Sequence, residues 1–363
     1  MKTITVSTLG YGYIGKVHTI AYRSLPLCYL DFPYELVLKN IVTRQQFDEK
    51  PSLYENAVNT IDDMEKTDLA DICTPNFVHK EEIEKLIGLG IKNIYCEKPL
   101  TGFYEDEKKM TQLAQSQNIY NQVALVLRFL PAVIRGKKII EEGALGDIIN
   151  FNCHMYHASY LDTMRPISWR LENAKSGGGA LIDLGIHVID TLRYVLGDVS
   201  STRGYTKTVV KKRPCGGAIQ DVDVDDFAHL ELTVKDSICG SLEVSRVAAG
   251  ATGELVLEIF GTKGTMLINS AQPDYPTVYS LSRGKWLAGG EYAFSDVEED
   301  IRFLWPAEKF SMGWMTNIHM ASIYSLLSIM QGKQFRFIQV PTFEDSLQAM
   351  KIIDSVYKNG DSG

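Results

Sequence analysis

The stretch Ile4-Thr5-Val6-Ser7-Thr8-Leu9-Gly10-Tyr11-Gly12-Tyr13-Ile14-Gly15 decides the fold. Apolar side chains alternate from Ile4 to Leu9, the period of a strand. Gly10, Gly12 and Gly15 then supply G-x-G-x-x-G, and the chain from Gly15 to about Leu30 reads as a helix. Each glycine has a mechanical reason. The first allows a tight turn, the second lets backbone approach a pyrophosphate, and the third lets the helix pack on the strand. The helix start adds N–H groups and a partial positive charge suited to phosphate. Strand, loop and helix in that order predict dinucleotide binding, with Tyr13 and Ile14 beside the phosphates. The alternative is a plain glycine-rich turn.

Working outward, strands and helices keep alternating. Glu35 to Val42 is a second strand, and Asp71-Ile72-Cys73-Thr74 ends a short buried one. A helix runs from about His79 to Leu89, a strand over Asn93-Ile94-Tyr95-Cys96, a helix over Tyr104 to Gln117, and Tyr120 to Leu127 closes the series. This order implies a parallel sheet with crossover helices on both faces, over residues 1–128. The pattern changes after Arg128. Helices are expected over Pro131 to Glu142 and Ala180 to Leu196. Strand-like runs cover Ile148 to Tyr156, Val222 to Val234, Ile238 to Val247, Leu255 to Phe260 and Thr265 to Ile268. Short turns between such runs predict a mostly antiparallel sheet, in a second domain over residues 129–363. Met315 to Met330 and Phe343 to Tyr357 return to helix.

Composition narrows the class. A chain of 363 residues suits two domains. Lys and Arg total 37 against 45 Asp and Glu, and the net charge of -8 argues against a general nucleic-acid binder. No apolar stretch is long enough for a bilayer, and the alternating N-terminus is not a signal peptide. The six cysteines are scattered without a CxxC pair, so buried free thiols are expected, and with them a cytoplasmic location. His154 and His157 fall on opposite faces of a strand, and no cluster has metal-ligand spacing, so no metal is expected.

Three segments carry chemistry. The second strand ends Ile41-Val42-Thr43-Arg44, where an acid for the adenosine ribose is usual. A hydroxyl and a guanidinium suit a 2′-phosphate, which makes NADP the expected cofactor over NAD. The other reading leaves Arg44 as a solvated charge and gives the acid's work to Asp48. Tyr95-Cys96-Glu97-Lys98-Pro99 ends a strand of the parallel sheet, where ligands of open sheets bind. The Lys98 ammonium there can stabilise charge on a reacting oxygen, or it is an ordinary surface ion pair. Asp183 and His187, spaced i,i+4 behind Gly177-Gly178-Gly179, share a helix face beside the apolar stripe Leu181, Leu184, Val188, Leu192 and Val195. They suit proton exchange near neutral pH, or cap and pack the helix. Gly185 inside that helix asks for a close approach by a ligand or another backbone.

Taken together, the glycine loop, Thr74-Pro75-Asn76 with His79, Glu97-Lys98-Pro99, Arg128-Phe129-Leu130-Pro131, Trp169-Arg170, Gly177 to His187 and Gly261-Thr262-Lys263-Gly264 resemble the Gfo/Idh/MocA oxidoreductases, named for glucose–fructose oxidoreductase and inositol dehydrogenase. The resemblance spans nearly the whole chain. It implies an N-terminal Rossmann domain and a C-terminal α/β domain on an open, mostly antiparallel sheet. It implies catalytic Lys98, Asp183 and His187. Thr74, Pro75, Asn76, His79, Glu97, Arg128, Trp169 and Arg170 would line the cofactor. Substrate would meet Lys98, Asp183, His187, Tyr156, His157 and Arg165. The family implies hydride transfer between NAD(P) and a sugar, inositol or related polyol, in a homo-oligomer (dimer or tetramer) joined through the open sheet. NAD-dependent glycoside hydrolysis and non-catalytic dinucleotide sensing are the alternatives on this scaffold.

Overall fold

In a computed structural model, residues 2–45, 53–292 and 295–362 are described. They cluster into two units. The first joins Met1–Thr101, Glu105–Val126 and Glu299–Leu347, and the second joins Gly102–Tyr104, Leu127–Glu298 and Gln348–Gly363. The expected second domain, 129–363, is therefore not continuous, because residues 299–347 return to the first unit. That return rests on pairings far apart in sequence, which local pattern does not carry. Asp48 lies outside the described residues.

The first unit follows from strand–helix alternation. Its strands are β1 (Lys2–Leu9), β2 (Tyr34–Val42), β3 (Asn56–Val58), β4 (Leu69–Ile72), β5 (Asn93–Cys96) and β6 (Tyr120–Val123). All pair in parallel, in the order β3-β2-β1-β4-β5-β6. Helices α1 (Tyr13–Cys28), α2 (Asn76–Gly88) and α3 (Tyr104–Ser116) make the crossovers. Every residue of β4 is buried, as a central parallel strand covered on both faces requires. The expected strand Tyr120–Leu127 stops at Val123, where Val123 N–H donates to Pro341 O.

The second unit is a nine-stranded sheet ordered β16-β15-β14-β13-β7-β12-β11-β8-β17. Its central strands are β7 (Ile148–His157), β11 (Phe227–Val234), β12 (Ile238–Ser245) and β13 (Thr252–Gly261). β8 (Val199–Lys207) and β17 (Asp361–Ser362) extend one side, and β14 (Gly264–Asn269), β15 (Thr277–Ser280) and β16 (Lys285–Leu287) the other. Only the β7–β12 and β8–β17 contacts are parallel. β9 (Lys212–Cys215) and β10 (Ala218–Asp221) form a separate hairpin. The expected strand Val222–Val234 thus starts only at Phe227, since Asp225 and Asp226 turn their carboxylates to backbone N–H groups elsewhere. One sheet face is apolar and covered: Phe151, Cys153, Leu230, Leu242, Val244 and Leu257 are all buried. Helices α4 (Pro131–Glu141), the single turn α5 (Asn173–Ser176) and α6 (Ile186–Leu196) belong to this unit. α7 (Ser295–Leu304), α8 (Trp314–Ile329) and α9 (Phe343–Asn359) complete the chain, with α8 packed on α1.

The cysteines are all free; Cys28, Cys73, Cys96 and Cys153 are buried, but Cys239 is exposed. Among the described residues no helix is long and apolar enough to cross a membrane.

Candidate active site

In the first unit the glycine loop closes as its spacing requires. Gly10 has φ +89°, and a Cβ there would meet the Cys73 and Thr74 backbone at 2.9 Å. A Cβ on Gly15 would stand 2.2 Å from Gly10 O. Gly12, which caps α1, has nothing within 4 Å of its Cβ position. The loop is thus tight below and open above, and no acidic residue stands in the first turn of α1. A pyrophosphate fits that cradle on charge and on space. Tyr13 is 78% exposed at the same turn, and Ile14 follows it.

At the end of β2, Thr43 is buried and its hydroxyl accepts from Gln45 N–H, while Arg44 is exposed. The structure adds a carboxylate that strand-end reading missed. Glu82, on α2, accepts from the Thr74 hydroxyl at 2.5 Å. Burial pushes its carboxyl up to about 7, against the opposing pull of the Thr74 hydrogen bond and the Arg44 charge. Asn76 donates to Thr101 O at 2.9 Å. His79 is 1% exposed and spans Thr74 O (2.7 Å) and Leu100 O (3.1 Å). It ties the Thr74-Pro75-Asn76 turn to the segment after Lys98 and does not itself reach the surface. Lys98 is half-buried, before a cis peptide to Pro99.

Beneath Lys98 lies a constellation that sequence spacing did not reveal. His18 of α1 is fully buried, with Nδ1 3.0 Å from Asp71 Oδ2 and Nε2 3.2 Å from Glu97 Oε1. His319, on α8, places Nδ1 3.2 Å from the same His18 Nε2. Burial disfavours charge on His18, yet the Asp71 carboxylate outweighs it and holds the ring protonated above its ordinary range. Burial likewise opposes the Glu97 charge, but His18 holds that carboxyl down at about 2. Burial and the His18 charge together pull His319 down to about 3. The partners of His18 come from three other parts of the chain: β4, the end of β5 and α8.

In the second unit the glycine run is held by one carboxylate. Asp225 accepts from Gly179 N–H and Leu181 N–H, each at 2.8 Å, and from the Tyr357 hydroxyl at 2.7 Å. A Cβ on Gly179 would stand 1.8 Å from Asp225 O, and one on Gly177 (φ +80°) 2.0 Å from Gly102 O. The expected uniform helix Ala180–Leu196 is instead a π-helical turn, Leu181–Gly185, running into α6. Such turns widen the helix and recur at functional sites. Asp183 sits in the π turn and His187 at the start of α6. Both are only partly buried, while Leu181, Ile182, Leu184, Gly185, Ile186 and Val188 are buried. At Gly185 a Cβ would meet only the Leu181 side chain, Cδ1 at 2.8 Å, and no other backbone, so the expected close approach by another backbone is not what the turn shows.

Six more expected residues have defined places in this unit. Arg128 is buried and paired with Asp190 of α6, Nε to Oδ2 at 2.8 Å. Its guanidinium anchors the helix that carries His187. Trp169 is half-buried with the exposed Arg170 stacked on its ring at 4.2 Å. Strand parity separates Tyr156 from His157. The Tyr156 hydroxyl donates to Glu243 at 2.5 Å, and Glu243 also meets His229 at 2.9 Å. Tyr156 therefore belongs to the polar outer face of the sheet, away from the apolar face that the Asp183 segment covers. His157 instead meets the Ser159 hydroxyl at 2.7 Å, and Arg165 lies over the Tyr160 ring at 4.1 Å.

Comparison with known proteins agrees with this anatomy. Residues 4–125 match the oxidoreductase family with an NAD-binding Rossmann fold, and residues 133–267 match the GFO/IDH/MocA C-terminal domain. Levoglucosan dehydrogenase of Pseudarthrobacter phenanthrenivorans is 29% identical, covering 99% of this chain and 96% of its own. Glucose-6-phosphate 3-dehydrogenase of Bacillus subtilis is 24% identical over 99% and 96%. The structure of levoglucosan dehydrogenase in complex with NADH and levoglucosan superposes with a TM-score of 0.84, at 30% identity, covering 98% of this chain and 97% of that one. With its dinucleotide cradle and both domains matched, the chain belongs to the Gfo/Idh/MocA family and is an NAD(P)-dependent oxidoreductase of that fold.

Proposed function

We propose that this oxidoreductase transfers a hydride between a nicotinamide and a hydroxyl-bearing carbon of a sugar, anhydrosugar or inositol. The observation that carries the reading is the pair Asp183 and His187, accessible in a segment whose other residues are buried and which Asp225 fixes through its backbone. A bound dinucleotide supplies the hydride acceptor for oxidation and the donor for reduction. Gly10, Gly12, Gly15 and the start of α1 hold its pyrophosphate. In the oxidising direction His187 takes the hydroxyl proton, and Asp183 stabilises the imidazolium. Lys98 hydrogen-bonds the same oxygen and stabilises the negative charge on it. Reduction returns the proton from His187. His157, Arg165, Trp169 and Arg170 are the polar and aromatic groups available to a polyhydroxylated ligand.

The cofactor we favour is NAD. The NADP expectation rests on Thr43 and Arg44 alone. The Arg44 charge is felt by Glu82, and a carboxylate beside a ribose favours a 2′-hydroxyl over a phosphate. The levoglucosan dehydrogenase structures also carry NADH. Homo-oligomer formation through the polar outer sheet face is part of the same reading. Lys98→Met and His187→Ala test the chemistry. Each should lower turnover by about 10²–10⁴-fold, the usual worth of a placed proton-transfer group, and near-normal turnover rejects the assignment.

A further inference from the structure

The His18 cluster is costly and the reaction does not use it directly. An imidazole, two carboxylates and a second imidazole are withdrawn from water in one place. Apolar residues of similar volume would be as stable there, or more so, so the cluster asks for a reason other than stability. Its geometry supplies one. Asp71 of β4 holds His18 Nδ1 at 3.0 Å, which leaves Nε2 hydrogen-bonded to His319 Nδ1 at 3.2 Å and in ionic contact with Glu97 Oε1, also at 3.2 Å. The other oxygen of the same carboxylate, Glu97 Oε2, accepts from the backbone N–H of Lys98 at 3.2 Å. Cys73 Sγ lies 3.1 Å from His18 Nδ1, and the Tyr95 ring stacks edge-on at 5.4 Å. Tyr95 is itself pinned by Ser322 of α8 at 2.7 Å.

We propose that His18 and Glu97 are a positioning pair that registers the Lys98 backbone against α1, the helix whose first turn forms the dinucleotide cradle. One carboxylate is gripped from below by the helix of the glycine loop and itself grips the residue that would face the reacting oxygen. His319 closes the cluster from α8, so the segment 299–347 contributes a part that the first unit lacks without it. The inference rests on Lys98 acting as described under Proposed function. It adds that Lys98 is placed by ionic contacts to α1 and not by the strand end alone.

The test uses the full-length protein with its lysines reductively ¹³C-methylated, and NADH as the probe. The Lys98 signal is assigned by its loss in Lys98→Met. In the native protein NADH should shift that signal. In Glu97→Gln, which keeps the shape and removes the charge, the shift should be lost or broadened at NADH concentrations that saturate the variant, with occupancy fixed by calorimetry. With levoglucosan as trial substrate, Glu97→Gln and His18→Gln should each lower kcat by about 10²-fold, the cost of a misplacement near 1 Å, with KM little changed. The double variant should fall no further than the worse single one. If His18→Gln does not fold, Glu97→Gln still decides. A native Lys98 response to NADH in Glu97→Gln overturns the positioning role and leaves the reading of Lys98 intact. Absence of any Lys98 response in the native protein overturns that reading, and the positioning role falls with it. A stoichiometric divalent metal in the purified protein would also overturn it, since His18, Glu97 and His319 would then hold an ion and not each other.

Discussion

The two units hold the residues we propose to react by different physics. In our proposal Lys98 is held through charge: a buried His18 between Asp71 and Glu97. Asp183 and His187 are held through backbone: glycines too closely approached to carry a side chain, and Asp225 accepting the N–H groups of the turn. Charge tolerates some change of shape but not of protonation. Close backbone packing tolerates pH but not a single added methyl. The two sites should therefore break under different insults.

The largest effect is expected in the second unit. Gly179→Ala drives a Cβ into Asp225 O and should cost at least about 4 kcal/mol, read by denaturant unfolding; a near-native midpoint would show that the turn can move aside. Gly12→Ala is its counterpart in the first unit. With open space at that position, stability should change by no more than about 0.5 kcal/mol while NADH binding weakens, as calorimetry would show.

Next in size is Asp225→Ala. It orphans buried N–H groups of Gly179 and Leu181 and should cost about 1–3 kcal/mol, with turnover falling further than the loss of folded protein explains. Unchanged kcat in the folded fraction would separate Asp225 from the placement of Asp183 and His187.

The pH response should come from the first unit. His319 has its folded value pulled from 6.5 down to about 3, so the unfolded chain takes up a proton that the folded one refuses. Stability from this group is complete above about pH 6.5 and is lost as pH falls towards 3, at about 1.4 kcal/mol per pH unit. Glu97, held at about 2, adds a loss that begins only below its unfolded value of 4.5. Melting temperature should therefore drop between pH 6.5 and 5, and His319→Gln should flatten that slope. An unchanged slope would move the acid sensitivity elsewhere, His79 being the next buried candidate. The smallest effect concerns Arg44→Ala, which should leave NADH affinity within about twofold; a large loss confined to NADPH would restore the 2′-phosphate reading.

Much of this was legible in the sequence. The cradle was, because each glycine answers a local steric demand. The helical placement of Asp183 and His187 on one accessible side was, because their spacing is local too. What sequence reading missed is non-local. His18 reads as one polar residue in an amphipathic helix until β4, β5 and α8 bring Asp71, Glu97 and His319 to it. Glu82 was hidden because it meets Thr74 and the Arg44 charge from α2 and not from the second strand. β8 alternates polar residues whose inner partners are small, so its period carried no apolar signal. Tyr156 could have been placed correctly: it shares parity with His154 and opposes Phe151 and Cys153, which puts it on the outer face.

The central claim is hydride transfer handled by Lys98, Asp183 and His187. The most direct measurement supplies NAD with a panel of anhydrosugars, hexoses and inositols, follows NADH fluorescence, and analyses the product for a new carbonyl. The account predicts NADH accumulating in step with a carbonyl product, at a rate about 10²–10⁴-fold lower in His187→Ala. Release of a free sugar from a glycoside without NADH accumulation, or dinucleotide binding with no turnover across the panel, would contradict it.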